Sequence, residues 1–248
     1  MNNFVILIPT YNEGQSITEI IADLKKMRNE EDFNFDLVII DDNSPDKTAD
    51  IVEKLSLPWA KVMRRLSKDG LGEAYRAGFA QVLLNSNYTH VVTMDADGSH
   101  RVEDLALMLI TVQGMSSKRN IIMGTRWMPG GRVINWPKYR QMISKFGTKY
   151  AKFALNIDLD DLTGGFRIYS TDLLNSLDLK RMKATGYCFQ IEMALASMQV
   201  GAEVVQVPIT FVERSYGKSK MTVGIAIEAF VYVTKAGFER VLKLGNHR

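Results

Sequence analysis

The first 125 residues alternate short apolar runs with segments of helical period, and that rhythm leaves few folds open. Residues 4–8, 37–41, 61–64, 90–95 and 120–124 read as buried strands. Residues 16–28, 47–56, 71–85 and 102–116 carry helical patterns between and after them. Strands that alternate with helices are joined by right-handed crossovers. The expectation is an α/β fold: a doubly wound, mostly parallel sheet with helices on both faces. Ligands bind such sheets outside the carboxyl ends of the strands, so the residues just past each run are the first candidates for function.

The run at 90–95 ends in Asp95-Ala96-Asp97, which sets two hard-oxygen carboxylates at the rim. A turn there lets them converge on a divalent cation, and the cation can hold a diphosphate. The second strand delivers Asp41 and Asp42 to the same edge. Two adjacent rim carboxylates are electrostatically costly unless one binds a sugar hydroxyl or a base amide. The first strand passes into Ile8-Pro9-Thr10-Tyr11-Asn12-Glu13-Gly14. Tyr11 there can stack on a planar base and Glu13 can accept a hydrogen bond from one; a plain strand-to-helix turn with a capping acid is the other reading. No G-x-G-x-x-G and no Walker pattern occurs, so a diphosphate here needs a metal ion and cationic side chains. Arg126 directly after a strand, Arg140 on the following helix, and Arg214 and Lys220 in the tail are placed to supply them. Arginine forks grip phosphate oxygens bidentately.

From about residue 126 the texture changes. Residues 128–132 are loop, Pro137 suits the first turn of a helix running to about 156, and residues 161–167 turn into a short strand. A helix near 188–199, a strand over 203–212 and a last helix over about 222–243 follow. With no linker or repeat, residues 1–248 read as one domain, in which residues 1–125 set the sheet and residues 126–248 elaborate the site. On the helix from Pro137, Tyr139, Phe146, Tyr150 and Phe153 form a stripe beside Lys138, Lys145, Lys149 and Lys152. Such a pair of stripes suits a helix lying in a membrane interface, or core packing beneath a solvated lysine face. On the last helix Val223, Ile227, Phe230, Thr234, Phe238 and Val241 share one face, while Ile225, Val231 and Val233 lie on others, which calls for burial on more than one side.

Bulk properties narrow the class. A net charge of +3 is too small to argue for nucleic acid. The single cysteine, Cys188, excludes an internal disulfide and fits a reducing compartment. No apolar stretch approaches the roughly 20 residues of a membrane span, and residues 1–9 lack the basic leader of a signal peptide. The expected location is cytoplasmic, or peripheral on the inner face of the cell membrane. His90, His100 and His247 do not cluster, and none is assigned a catalytic role. Gln190 and Glu192 are left between an acceptor-side role and a structural one.

Residues 8–13, 41–48, 95–100, 124–126, 135–140, 161–166 and 213–220, taken in order, resemble the family 2 glycosyltransferases, and within them the polyprenol (dolichol) monophosphate mannose synthases. Gly124-Thr125-Arg126-Trp127-Met128-Pro129-Gly130-Gly131 and Gly186-Tyr187-Cys188-Phe189-Gln190 look most like the bacterial form. The resemblance implies a GT-A fold that moves mannose from GDP-mannose to a polyprenyl or dolichyl phosphate with inversion, using Mg²⁺ or Mn²⁺ at a membrane surface, with a membrane-anchoring partner protein as a further possibility. It implies donor contacts from Pro9, Tyr11, Glu13, Ile40, Asp42, Asp95, Ala96 and Asp97. Metal ligands come from Asp95, Asp97 and Ser99, phosphate grips from Arg126 and Arg140, and closure over the donor from Arg214 and Lys220. Asp97, Arg126 and Arg140 form the implied catalytic set. Three positions depart from the family pattern: Gly98 stands for leucine, which is expected to loosen the acidic turn, Arg101 for proline and Lys47 for glycine. Two rival readings stay open: transfer of glucose or another sugar to the same lipid, and a non-catalytic, membrane-recruited nucleotide-sugar binding module.

Overall fold

The computed structural model describes residues 2–30, 33–85, 87–184, 186–214 and 223–245. Its first half follows the expected rhythm: β1 (Phe4–Thr10), α1 (Ile17–Glu30), β2 (Phe35–Asp41), α2 (Thr48–Lys54), β3 (Ala60–Arg64), α3 (Leu71–Val82), β4 (His90–Thr93), α4 (Val102–Gln113) and β5 (Asn120–Thr125). The second half adds β6 (Arg132–Ile134), α5 (Lys138–Leu155), β7 (Arg167–Ser170), α6 (Thr171–Ser176), α7 (Gly186–Gln199), β8 (Glu203–Pro208), β9 (Thr210–Val212) and α8 (Val223–Gly245). A seven-stranded sheet runs in the order β3-β2-β1-β4-β7-β5-β8. Every pairing is parallel except those of β7, which lies antiparallel between β4 and β5.

Strand alternation divides the core. On β1, Val5 and Leu7 face a layer built from α3, α5, α7 and α8, whereas Phe4, Ile6 and Ile8 face α1 and α4. The helix residues that cover the second face, Ile17, Ile20, Ile21 and Leu24 on α1 and Leu105, Met108 and Leu109 on α4, recur at helical spacing. On the first face α3 lies so close that a side chain at Gly78 would meet Ile40 Cδ1 at 2.5 Å.

Four features depart from the sequence reading. The strand expected to reach Asp95 stops at Thr93, because the Asp95 N–H leaves the ladder and donates to His100 Nδ1 (3.0 Å). The strand expected over 203–212 breaks at Pro208, which has no N–H to give. Beyond it β9 pairs with β6, an unexpected strand, in a separate two-stranded sheet. The short helix α6 was also not expected; Ser170 caps it by accepting from Leu173 N–H.

α8 presents a different face from the one anticipated. Val233 and Gly237 are buried, whereas Ile227, Phe230, Val231 and Phe238 are exposed. A side chain at Gly237 would meet the Ala154 carbonyl oxygen at 2.7 Å, so α8 crosses α5 backbone to backbone there. Small residues make the crossing itself, while Phe230 and Thr234 of the anticipated stripe meet Tyr150 of α5. The side chains of Val223, Ile225 and Val241 lie outside the described residues.

Candidate active site

A cleft of about 240 Å³ opens at the carboxyl ends of β1, β2 and β4, where the strand order reverses: the chain runs outward from β1 through β2 to β3 and then returns to β4 on the other side of β1. Pro9, Tyr11 and Glu13 line it from β1 and Asp42 from β2. Asp95, Ala96 and Asp97 line it from β4, and Arg214 from beyond β9. Ile40, expected in the same lining, is fully buried beneath α3 against Gly78, since alternation turns it to the core. Lys220 lies outside the described residues.

The adjacent acids Asp41 and Asp42 have separate partners. Asp41 Oδ1 accepts from Thr10 Oγ1 (3.0 Å) and Ser44 Oγ (2.6 Å), and Oδ2 from Ser44 N–H (3.0 Å), which ties the two strand ends together. Burial pushes the Asp42 carboxyl up, partly offset by Arg65, whose Nη1 lies 2.5 Å from Asp42 Oδ1. Arg65 and Lys68 escaped the sequence reading. Lys68 Nζ sits 3.9 Å over the Tyr11 ring and lines the cleft. Their signal was available, because both follow β3 at the same sheet edge.

The acidic turn is tightly held. Asp97 Oδ1 accepts from Ser99 Oγ (2.6 Å) and Ser99 N–H (3.1 Å), while Oδ2 faces Arg214 Nη2 at 2.9 Å. Burial alone would raise the Asp97 carboxyl; Ser99 and the Arg214 guanidinium outweigh it and hold the group below the usual range. Gly98 adopts φ +75°, the left-handed region that favours glycine. Glycine therefore suits this turn instead of loosening it. Lys47, where the family pattern has glycine, takes the same strained conformation (φ +62°). His100 stacks on Phe166 (centroids 4.6 Å apart), and Ser16 Oγ donates to the Ala96 carbonyl (2.6 Å).

Arg126, Arg140 and Arg214 meet Asp95, Ser99 and Tyr187 around a smaller cavity of about 40 Å³ beside the cleft. Each guanidinium already faces a carboxylate. Arg126 donates to Asp161 through Nε (2.6 Å) and Nη2 (2.8 Å), and to Thr163 Oγ1 (3.0 Å). Both partners are buried, and Arg126 outweighs burial to keep the Asp161 carboxyl below the usual range. Arg140 donates to both oxygens of Glu213 (2.7 and 2.9 Å) and lies 3.9 Å over Trp136, in a pair that is more open to solvent.

Arg167, another residue the sequence reading passed over, anchors the facing wall. Fully buried, it donates to the carbonyls of Gly164 (2.9 Å), Leu162 (2.8 Å) and Gln190 (2.7 Å), locking the 161–165 turn to α7. Glu192 accepts from Ala184 N–H (3.1 Å), and burial pushes the Cys188 thiol up to about 11, away from nucleophilic use. Among the described residues no three His, Cys, Asp or Glu side chains group as a metal cluster.

Residues 5–178 match the family model described as glycosyl transferase family 2. An undecaprenyl-phosphate mannosyltransferase of Micrococcus luteus is 41% identical over 233 residues, covering 93% of this chain and 92% of the relative. A polyprenol monophosphomannose synthase of Mycolicibacterium smegmatis is 38% identical over 236 residues, covering 94% and 86%. Among solved structures, the mannosyl-3-phosphoglycerate synthase of Rubrobacter xylanophilus superposes with a TM-score of 0.70 at 17% identity, over 99% of this chain and 75% of that one. The glucosyl-3-phosphoglycerate synthase of Mycobacterium tuberculosis, in complex with Mn²⁺, UDP and phosphoglyceric acid, gives 0.69 at 15% identity, over 95% and 78%. At these identities the solved structures speak for the fold, which is the GT-A arrangement.

Proposed function

This chain belongs to glycosyl transferase family 2, and on that premise we propose that it transfers mannose from GDP-mannose to a polyprenyl phosphate with inversion. The observation that carries the reading is the gathering of Arg126, Arg140 and Arg214 beside the Asp95–Asp97 turn. A module that only bound a nucleotide sugar would not need three guanidinium groups gathered beside its acidic turn. An enzyme that brings two anions together does.

The lipid phosphate is anionic near neutral pH, so its attacking oxygen needs no general base. That oxygen bonds to the anomeric carbon from the face opposite the diphosphate, and the bond from that carbon to the diphosphate oxygen breaks. GDP leaves with the electron pair. Repulsion between acceptor and donor is the main barrier, and preorganised positive charge lowers it. Arg140 suits the acceptor phosphate, because its pair with Glu213 is open enough for a phosphate to displace the carboxylate. Arg126, held by Asp161, presents the rest of its guanidinium at a fixed angle. Pro9, Tyr11, Glu13 and Asp42, with Lys68 stacked on Tyr11, suit the nucleoside end.

Asp95, Asp97 and Ser99 are the residues that would hold Mg²⁺ or Mn²⁺. Hard oxygens, an Asp97 kept anionic, and a guanidinium already standing against its Oδ2 fit a cation there. Such an ion, when bound, supplies Lewis-acid neutralisation of the leaving diphosphate.

No helix among the described residues is long and apolar enough to cross a membrane. A peripheral position on the inner face of the cell membrane is supported by α5, where Met142, Phe146 and Phe153 are exposed. Between α5 and α8 a mostly apolar groove of about 200 Å³ shares Thr163 and Tyr187 with the cleft, a route by which an isoprenoid chain reaches the site.

Incubation with labelled GDP-mannose and polyprenyl phosphate, with Mn²⁺ or with EDTA, tests the reading. Organic-extractable label is expected only with lipid and metal present, at least tenfold above labelled UDP-glucose by the discrimination a polar site can provide. Asp97→Asn should remove it while the protein stays folded. Full transfer in EDTA ends the metal part, and no extractable label ends the whole.

A further inference from the structure

Gln190, on the second turn of α7, is 2% exposed and lines the cleft. Neither its Nε2 nor its Oε1 has a hydrogen-bond partner among the described residues. The backbone carbonyls beside it are satisfied: the Gln190 carbonyl takes Arg167 Nη1, and Thr93 Oγ1 donates to the Gly165 carbonyl (2.7 Å). An unpaired primary amide in so well-bonded a wall is unfavourable to folding, and its persistence calls for a reason outside the folded chain's own contacts.

Gly165 shows where the amide faces. A side-chain carbon there would lie 3.3 Å from Gln190 Nε2 and 3.6 Å from Asp95 Oδ1. The missing side chain thus leaves a gap onto which both the amide and the acidic turn open. Sheet order ranks the contents of the cleft. Tyr11 and Asp42 stand over β1 and β2, the acidic turn over β4, and Gln190 on the side of β7. Resting on the reading above, a donor with its base over β1 and β2 and its diphosphate at the acidic turn carries its hexose toward Gln190.

We infer that Gln190 recognises hydroxyls of the donor hexose, its carbonyl oxygen accepting from one and its amide N–H donating to a neighbour. A primary amide is the neutral side chain that offers both roles in one plane, which matches a vicinal diol. Gln190 is then a sugar-specificity residue whose hydrogen bonds are completed by substrate.

Gln190→Leu separates this from a structural role. The free variant should melt at or above the wild-type temperature, because it removes a buried unpaired group. Its affinity for GDP with Mn²⁺ should stay within about twofold. kcat/KM with GDP-mannose should fall about 10- to 100-fold, the effect of losing two neutral hydrogen bonds. Gln190→Met, with a flexible chain of similar length, repeats the measurement should the leucine variant fold poorly. Wild-type transfer rates in either folded variant would overturn the inference and leave the polyprenyl-phosphate mannosyltransferase reading intact. A wild-type protein that makes no lipid product, yet hydrolyses GDP-mannose faster than its Gln190→Leu form, would overturn that reading and keep the inference. A lower melting temperature together with weaker GDP binding assigns Gln190 to the scaffold and overturns it.

Discussion

At the scale of single residues, the pair that most constrains the site is Arg126 with Asp161. They lie 35 positions apart, and both are buried. Taking two charges out of water is expensive, and the return comes only while both partners and their hydrogen bonds are present. Asp161→Asn should therefore destabilise the protein by about 3–5 kcal/mol in chemical denaturation, by leaving the Arg126 charge unpaired. Replacing both, as Arg126→Met with Asp161→Leu, should recover most of that stability and none of the transfer activity. A single mutant within 1 kcal/mol of wild type, on the usual scale of surface substitutions, would mean that solvent or another group neutralises Arg126. Sequence patterns singled out Arg126 as a phosphate grip. They carried no sign that a carboxylate would already hold it.

The element scale is dominated by α5 and α8, whose apolar residues are divided between packing and exposure. Tyr150, placed in one stripe with Phe146 and Phe153 by spacing alone, turns onto α8, where its ring stacks on Phe230 (4.4 Å) and its hydroxyl meets Thr234 Oγ1 (2.6 Å). Lys152 leaves the basic stripe to pair with Asp158 (2.7 Å) and Asp160 (2.8 Å). Phe146 and Phe153, at 70% and 87% exposure, remain outward with Lys145 and Lys149 nearby in sequence. Replacing both with aspartate should leave the melting temperature unchanged. It should weaken association with anionic vesicles at least tenfold, given roughly 1.5–3 kcal/mol per buried aromatic side chain. Unaltered flotation of the double variant at low salt would remove α5 from the membrane contact.

For the whole molecule, the buried titratable groups set how folding responds to acid. Burial lowers His90 to about 4, partly offset by Asn120 and Asp172, whereas the unfolded value is near 6.5. Between those limits the unfolded chain binds the extra proton, so His90 favours folding fully above about pH 6.5 and that contribution drains away toward pH 4. Asp97 and Asp161, both held low, withdraw their support only below the ordinary carboxylate range. Asp42 and Asp104, both raised by burial, act with the opposite sign above it. Unfolding free energy should thus fall from pH 6.5 to 4 by up to about 3 kcal/mol more in wild type than in His90→Asn. Parallel curves for the two proteins would show that His90 keeps its ordinary pKa.

Local rules carried the sequence a long way. Period-two runs, helical spacing and turn residues act within a few positions, so the parallel first half, its carboxyl edge and the acidic turn were readable from the chain. So were Tyr11, Glu13, Asp42 and Asp97 as rim residues. What required the tertiary structure were the partners that meet from elements far apart in the chain. Arg126 finds Asp161, Arg214 finds Asp97, Arg167 ties the 161–165 turn to α7, and Gln190 ends up buried and unpaired. Charge pairing acts through space between groups far apart in sequence, and no periodicity encodes which arginine will meet which carboxylate. Ile40 shows the same division: its strand and its face were local information, but that α3 packs over that face at Gly78 and closes it off from the cleft was decided by tertiary packing.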